Sequence, residues 1–149
     1  MDPDINNQDH HGMTNLHRAA NEGDLSKCKI LVSGGAKLEV KDEDGWTALI
    51  FAARHGHTEV LRILIEEGAQ LDVTDIDGWT ALIFASSNGH TEVVRILFEN
   101  GAQIDVKNNN GDTALILAVR HGHTEVVRIL IENGAQLELK NNSGDTALH

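Results

Sequence analysis

The chain of 149 residues holds one cysteine, Cys28, no tyrosine, and only 3% aromatic residues. A single cysteine excludes an intramolecular disulfide and fits a reducing compartment. With so few aromatic rings, the core must come from aliphatic side chains and alanine, within a 40% hydrophobic composition. That balance leans towards short helices and away from a β-sandwich, which favours β-branched and aromatic residues. Basic residues are also scarce: 12 Lys and Arg stand against 23 Asp and Glu, for a formal net charge of -11. A chain this acidic is a poor general binder of nucleic acid, whose affinity comes mainly from neutralising phosphates. Anionic membrane surfaces should repel it. No apolar run approaches the roughly 20 residues of a membrane span. The first residues, Met1-Asp2-Pro3-Asp4, carry neither a basic nor an apolar stretch, so no secretory leader is read there. The expectation is one cytoplasmic domain, the nucleus being the other compartment open to it.

What the sequence does have is a period. Gly12, Gly45, Gly78, Gly111 and Gly144 recur every 33 residues. Gly23, Gly56, Gly89 and Gly122 keep the same step, as do Gly35, Gly68, Gly101 and Gly134. Three glycine ladders in one register mark a repeat architecture, in which each unit stacks on its neighbours.

Residues 42–74 show what one unit contains. Asp44-Gly45 is a turn signal, because glycine supplies a positive φ at little cost. Thr47 is placed to cap a helix over residues 48–55, and Gly56 to stop it. Thr58 opens a second helix over residues 58–67, with Glu59 in the first turn where the helix dipole favours acid. Gly68 ends it, and Asp72 and its neighbours lead into the next turn. In the second helix Val60, Ile63 and Leu64 form an apolar stripe at i, i+3, i+4. Val93, Ile96, Leu97 and Val126, Ile129, Leu130 repeat it. In the first helix Leu49, Ala52 and Ala53 face inward, and the small alanines let helices approach closely. This first helix is the thinner of the two, so the stack is expected to curve towards it and present a concave face. Neither helix is long enough to be stable alone, so stability must come from neighbouring units.

The unit carries Gly-x-Thr-Ala-Leu, Gly-His-Thr-Glu-Val and Gly-Ala-Gln-Leu-Asp. It resembles the ankyrin repeat, whose signatures G-x-TPLH, GH-x-E-V and GA-D-V-N run in the same order. The resemblance covers residues 9–149 and implies an all-α repeat solenoid: stacked helix-turn-helix units with β-turn fingers and a concave face. The register places full units at 9–41, 42–74, 75–107 and 108–140, a partial unit at 141–149, and an N-terminal tail at 1–8. The family normally closes its stack with a polar capping repeat. None is read here, so a fragment of a longer protein is expected. The family's proline after the threonine is Asn15, Ala48, Ala81, Ala114 and Ala147, which removes a pre-set first helical residue. Its histidine after the leucine stands only at His17 and His149, with Ile50, Ile83 and Ile116 between, so looser turns are expected in the middle units. Glu39, Asp72, Asp105 and Glu138 replace the usual asparagine, so the asparagine that hydroxylases modify in some ankyrin proteins is absent.

The resemblance also implies a role: capture of another protein in the concave groove, without catalysis. In ankyrin proteins the turn tips and the ends of the first helices line that groove. These places differ between otherwise similar units here. They give the candidate partner-binding set: Glu43, Asp44 and Trp46, Arg54 and His55, Ile76, Asp77 and Trp79, Ser87 and Asn88, Asn110 and Asp112, Arg120 and His121. Trp46 and Trp79 lead it. Each lies between a turn glycine and a capping threonine, a surface position in this fold, and tryptophan is a preferred interface anchor. The competing reading packs the two rings on each other or on neighbouring turns. A basic or amphipathic partner segment suits the acidic charge.

Catalytic and metal chemistry find little support. His55-x-His57 and His121-x-His123 invite a zinc reading. Yet His57, His90 and His123 fall one per unit, about 8–10 Å apart on stacked helices, too far to converge on one ion. Asp42-x-Asp44-Gly45 and Asp75-x-Asp77-Gly78 share part of a calcium loop, but Val40, Val73, Phe51 and Phe84 stand where its further ligands belong. Glu59-Arg62-Glu66, with its copies Glu92-Arg95-Glu99 and Glu125-Arg128-Glu132, reads as a solvated outer face of weak ion pairs. No phosphate-binding or nucleophile motif is present, and His10-His11 and Cys28 lack catalytic partners. Neither enzyme activity nor a cofactor or metal is expected. Two other roles share the fold: a targeting domain of a larger enzyme or signalling protein, and a designed ankyrin scaffold. The irregular Ser33-Gly34-Gly35 argues against the second. Self-association is expected through the outer side of the fourth unit, at Val127, Ile131 and Leu137.

Overall fold

The structure, a computed structural model, describes residues 4–148. Residues 1–3 of the expected tail, and His149, the expected counterpart of His17, lie outside the described residues. Eight helices come in four pairs among the described residues: α1 (Asn15–Glu22) with α2 (Leu25–Ser33), α3 (Ala48–His55) with α4 (Thr58–Glu66), α5 (Ala81–Ser87) with α6 (Thr91–Glu99), and α7 (Ala114–Arg120) with α8 (Thr124–Glu132). No strand occurs among the described residues. Each first helix packs on the first helix of the next pair, and each second helix on the next second helix. The row α1, α3, α5, α7 is the more closely packed, as its alanines allow.

The helix ends follow local chemistry. Thr14, Thr47, Thr80 and Thr113 stand in extended backbone, and each hydroxyl accepts from the third N–H of its helix. Such caps are worth about 1 kcal/mol each. Gly23 and Gly56 close α1 and α3 in the left-handed region, φ 73 and 72. The second helices begin at Thr58, Thr91 and Thr124, but no side chain caps them. The histidine before each threonine serves elsewhere, as shown below. Helix α4 ends at Glu66 with Glu67 as its cap, one residue short of the sequence expectation.

Burial differs from the expected stripes at two places, for physical reasons. Helix α3 buries six consecutive residues, from Ala48 to Ala53, and not only Leu49, Ala52 and Ala53. It lies between α1 and α5 with α4 behind, so few of its faces see water. In α4 the buried set is Val60, Leu61 and Leu64, and Ile63 is only half-buried. The first unit has Lys27 in the register position of Val60, and α2 buries Cys28 alone. A hollow lined by Leu25, Lys29, Val32 and Ile63 lies between α2 and α4. Ile96 and Ile129, the counterparts of Ile63, have better neighbours and are 3% and 2% exposed. On the outer side of the fourth unit, Val127 and Leu137 are half-buried against the core, while Ile131 is 46% exposed.

Cys28 is 0% exposed. Burial, with Asp24 adding repulsion, pushes its thiol up to about 11. Only the thiolate attacks disulfide reagents. The native chain should therefore leave an aromatic disulfide reagent unreacted at about pH 8 and consume one equivalent after unfolding. Fast reaction of the native chain would show that α2 does not hold this side chain in the core.

Candidate functional site

The fingers between the helix pairs are built by one repeated device. The first residue of each finger is an Asp or Asn whose Oδ1 accepts two backbone N–H groups, two and four residues on. Asp42 takes Asp44 and Trp46 at 2.9 Å each. Asp75 takes Asp77 at 2.9 Å and Trp79 at 2.8 Å. Asn108 takes Asn110 and Asp112, and Asn141 takes Ser143 and Asp145. Side-chain acceptors of this kind stabilise turns. Successive fingers are then joined by the N–H of Glu43 to the carbonyl of His11, Ile76 to Asp44, Asn109 to Asp77 and Asn142 to Asn110, at 2.9, 3.1, 2.9 and 2.9 Å. This ladder brings tips that are 33 residues apart in sequence side by side.

Expected looseness in the units with isoleucine is not visible in these turns. Ile50, Ile83 and Ile116 are buried, and their fingers keep the same turn bonds and threonine caps. What His17 adds is a bridge. Its Nδ1 accepts from the Thr14 N–H at 2.9 Å, and its Nε2 lies 2.9 Å from the Val40 carbonyl and 3.0 Å from that of Trp46. Burial lowers the pKa of its ring.

The candidate set divides by environment. Glu43, Asp44, Asp77 and Asn110 are exposed at the tips, with Ile76 63% exposed among them. His55, Asn88, Arg120 and His121 are exposed at the ends of α3, α5 and α7. Trp46, Trp79, Arg54 and Ser87 are half-buried, and Asp112 is 4% exposed. Asp112 binds inward: its carboxylate pairs with Arg120 at 3.2 Å and accepts from Asn141 Nδ2 at 2.8 Å.

Trp46 also works inside the stack. Its Nε1 donates to Asp75 Oδ2 at 2.8 Å, and its ring meets Phe51 and Phe84 edge-on, with centroids 5.1 and 5.6 Å away. The Arg54 guanidinium lies 4.5 Å over the same ring. Trp79 rests on Phe84 at 4.8 Å. Both rings are thus less exposed than the surface position expected for them, because Phe51 and Phe84 sit beneath. The residues missed in the sequence are Asp75, Asn108 and Asn141, together with those two phenylalanines. An Asp or Asn recurring at 9, 42, 75, 108 and 141 was the signal for the first three.

Charge on this face is uneven. Asp44 has its carboxyl pKa raised, first by partial desolvation and then by Asp42, Glu43, Asp75 and Asp77. Of the nearby cations, Arg54 is held over Trp46 and Arg120 is paired with Asp112. The His55 ring has its pKa lowered by desolvation and by Arg54, His57 and His90. Glu43 pairs with His11 at 3.1 Å, whereas Asp44 and Asp77 on the second and third fingers have no ion pair with a cation among the described residues.

The histidines that open the second helices are framework. His57, His90 and His123 place Nε2 at 3.0, 2.9 and 2.9 Å from the carbonyls of Asn21, Arg54 and Ser87 in the preceding pair. No group of three or more His, Cys, Asp or Glu among the described residues is placed to hold a metal ion. No helix among the described residues is long and apolar enough to cross a membrane. A family model described as "Ankyrin repeats (3 copies)" matches residues 16–108 and, a second time, residues 100–149. No curated protein matches the chain. Helix pairs in register, threonine-capped first helices and this match together place the chain in the ankyrin-repeat family, whose repeats are in general modules that bind other proteins.

Proposed function

We propose that this chain captures a basic segment of another protein, carrying an apolar side chain, on the face formed by its finger tips and the exposed ends of α3, α5 and α7. The observation that carries this reading is Ile76, 63% exposed at the tip of the third finger. The same place in the other fingers is polar: His10, Glu43, Asn109 and Asn142. A large apolar side chain set among Glu43, Asp44 and Asp77 offers contact area inside a negative rim, the layout of an interface anchor. Desolvation first and the neighbouring carboxylates second raise the pKa of Asp44, and a Lys- or Arg-bearing segment would relieve the repulsion among those carboxylates. Nucleic acid and anionic lipid carry the wrong sign. Trp79, half-buried three residues after Ile76, adds a second large apolar side chain to the same finger.

A phage-displayed peptide library selected on the full chain tests this. Selected peptides should combine Lys or Arg with a Leu, Ile or Phe. Binding should fall about tenfold or more in Ile76→Ser, as truncation of an anchor does, and should weaken in Asp44→Asn/Asp77→Asn and at high salt. Selection of acidic or neutral peptides would overturn the proposal. So would peptides indifferent to Ile76→Ser in a variant whose circular dichroism matches the parent.

A further inference from the structure

In the second and fourth units the residue after the finger glycine is hydrogen-bonded to the first residue of the next finger. In the second unit that contact is Trp46 to Asp75, a 2.8 Å hydrogen bond, with Arg54 over the ring. In the fourth it is Asp112 to Asn141, also 2.8 Å, with Arg120 paired to the carboxylate. The register counterparts in the third unit are Trp79 and Asn108, with Ser87 where the arginines stand. The indole N–H and the amide NH2 are both donors, and no hydrogen bond joins them. Asn108 cannot solve this by turning its amide over, because its Oδ1 already accepts from Asn110 and Asp112 at 2.9 Å each. Its Nδ2 is buried without a partner, in a residue only 5% exposed. The second buried side-chain atom without a partner among the described residues is Ser86 Oγ in α5, where the first two units carry Ala20 and Ala53. Both orphans lie within the third unit or at its boundary with the fourth.

The rest of that joint resembles the others. The Asn109 N–H reaches Asp77, and His123 reaches Ser87, as at every finger and every Gly-His. Two additions, Asn109 Nδ2 to the Ile76 carbonyl at 3.1 Å and Arg95 to Glu125 at 3.7 Å, are exposed and contribute little. We infer that the stack has a built-in hinge here: it parts between α5–α6 and α7–α8 in preference to the joint before. While the joint is closed, the Asn108 Nδ2 is buried from solvent without a protein acceptor, and opening hydrates it. Neighbour-only contacts let α7, α8 and the last finger move off together. The parting divides the finger face, with Ile76 and Trp79 on one side and Asn110 and Arg120 on the other. A partner that touches both sides holds the joint closed, and one confined to the first side leaves it free.

Hydrogen exchange of the full chain, read by mass spectrometry helix by helix, tests the hinge. In the parent, α7 and α8 should exchange faster than α5 and α6. Asn108→Asp gives this joint the Trp46–Asp75 pattern. It should slow exchange in α7 and α8 about tenfold, the worth of one hydrogen bond to a charged acceptor, and leave α3 and α4 unchanged. Asp75→Asn creates the same clash of donors one joint earlier and should raise α5 and α6 to the rate of α7 and α8. The inference is overturned if Asn108→Asp leaves α7 and α8 unchanged or faster, or slows all eight helices alike. It is equally overturned if Asp75→Asn leaves α5 and α6 slow.

Discussion

Gly89→Ala is expected to destabilise the stack by about 3 kcal/mol, and Gly122→Ala by about half as much. The two glycines have nearly the same backbone, φ 74 and 73. An alanine held there costs roughly 1–2 kcal/mol at either position. What differs is the space. A Cβ on Gly89 would lie 2.6 Å from Nδ1 and 2.8 Å from Cε1 of His123, whereas one on Gly122 meets nothing within 4 Å. To admit the methyl group the His123 ring must shift, and its 2.9 Å contact with the Ser87 carbonyl is lost. That bond contributes about 1 kcal/mol, and displaced packing between the pairs adds to the loss. Urea titrations of the two variants, followed by circular dichroism, measure the difference directly. Equal losses would mean that the ring moves aside freely and that the Gly-His contact does not tie one pair to the next.

Within one unit, the sequence was legible because each local signal has a local cause. Thr47 caps because its own hydroxyl reaches the N–H of Ile50, and Gly56 stops α3 because that place needs a positive φ. Contacts between units were harder to see. Trp46 has no acceptor for its indole in its own unit, and the one it finds, Asp75, lies 29 residues on. The same holds for Asp112, whose partners are Arg120 below it and Asn141 in the next finger. Ile63 is only half-buried beside a hollow lined by Leu25, Lys29 and Val32 of a different helix, which the stripe in α4 could not reveal. Glu39, Asp72 and Asp105 show the opposite case. They break the family pattern, yet their carboxylates accept from the N–H of Gln70, Gln103 and Gln136 at 3.0, 3.0 and 3.1 Å, so an oxygen acceptor is kept at the joint.

Removing the Asp75 side chain should destabilise the chain by about 3 kcal/mol, because Asp75→Ala strands three donors at once. Its Oδ1 serves the N–H groups of Asp77 and Trp79, its Oδ2 serves the Trp46 indole, and the residue is 8% exposed. Trp46→Phe takes away a single donor and keeps most of the ring, so it should cost about 1 kcal/mol. If the indole bond is what couples the second unit to the third, the double variant is less destabilised than the two singles together by about 1 kcal/mol. Strict additivity in denaturant unfolding would sink that claim and return Trp46 to the surface role first expected of it. Trp79→Phe is the control. Its indole makes no hydrogen bond to Asn108, so the loss should stay within about 0.5 kcal/mol. Two tryptophans at the same place in successive units thus have different work. Trp46 is engaged as a tie between units, with its polar group satisfied and a guanidinium on its face. Trp79 has no such tie, and its ring rests on Phe84 with the indole N–H unclaimed by the next finger.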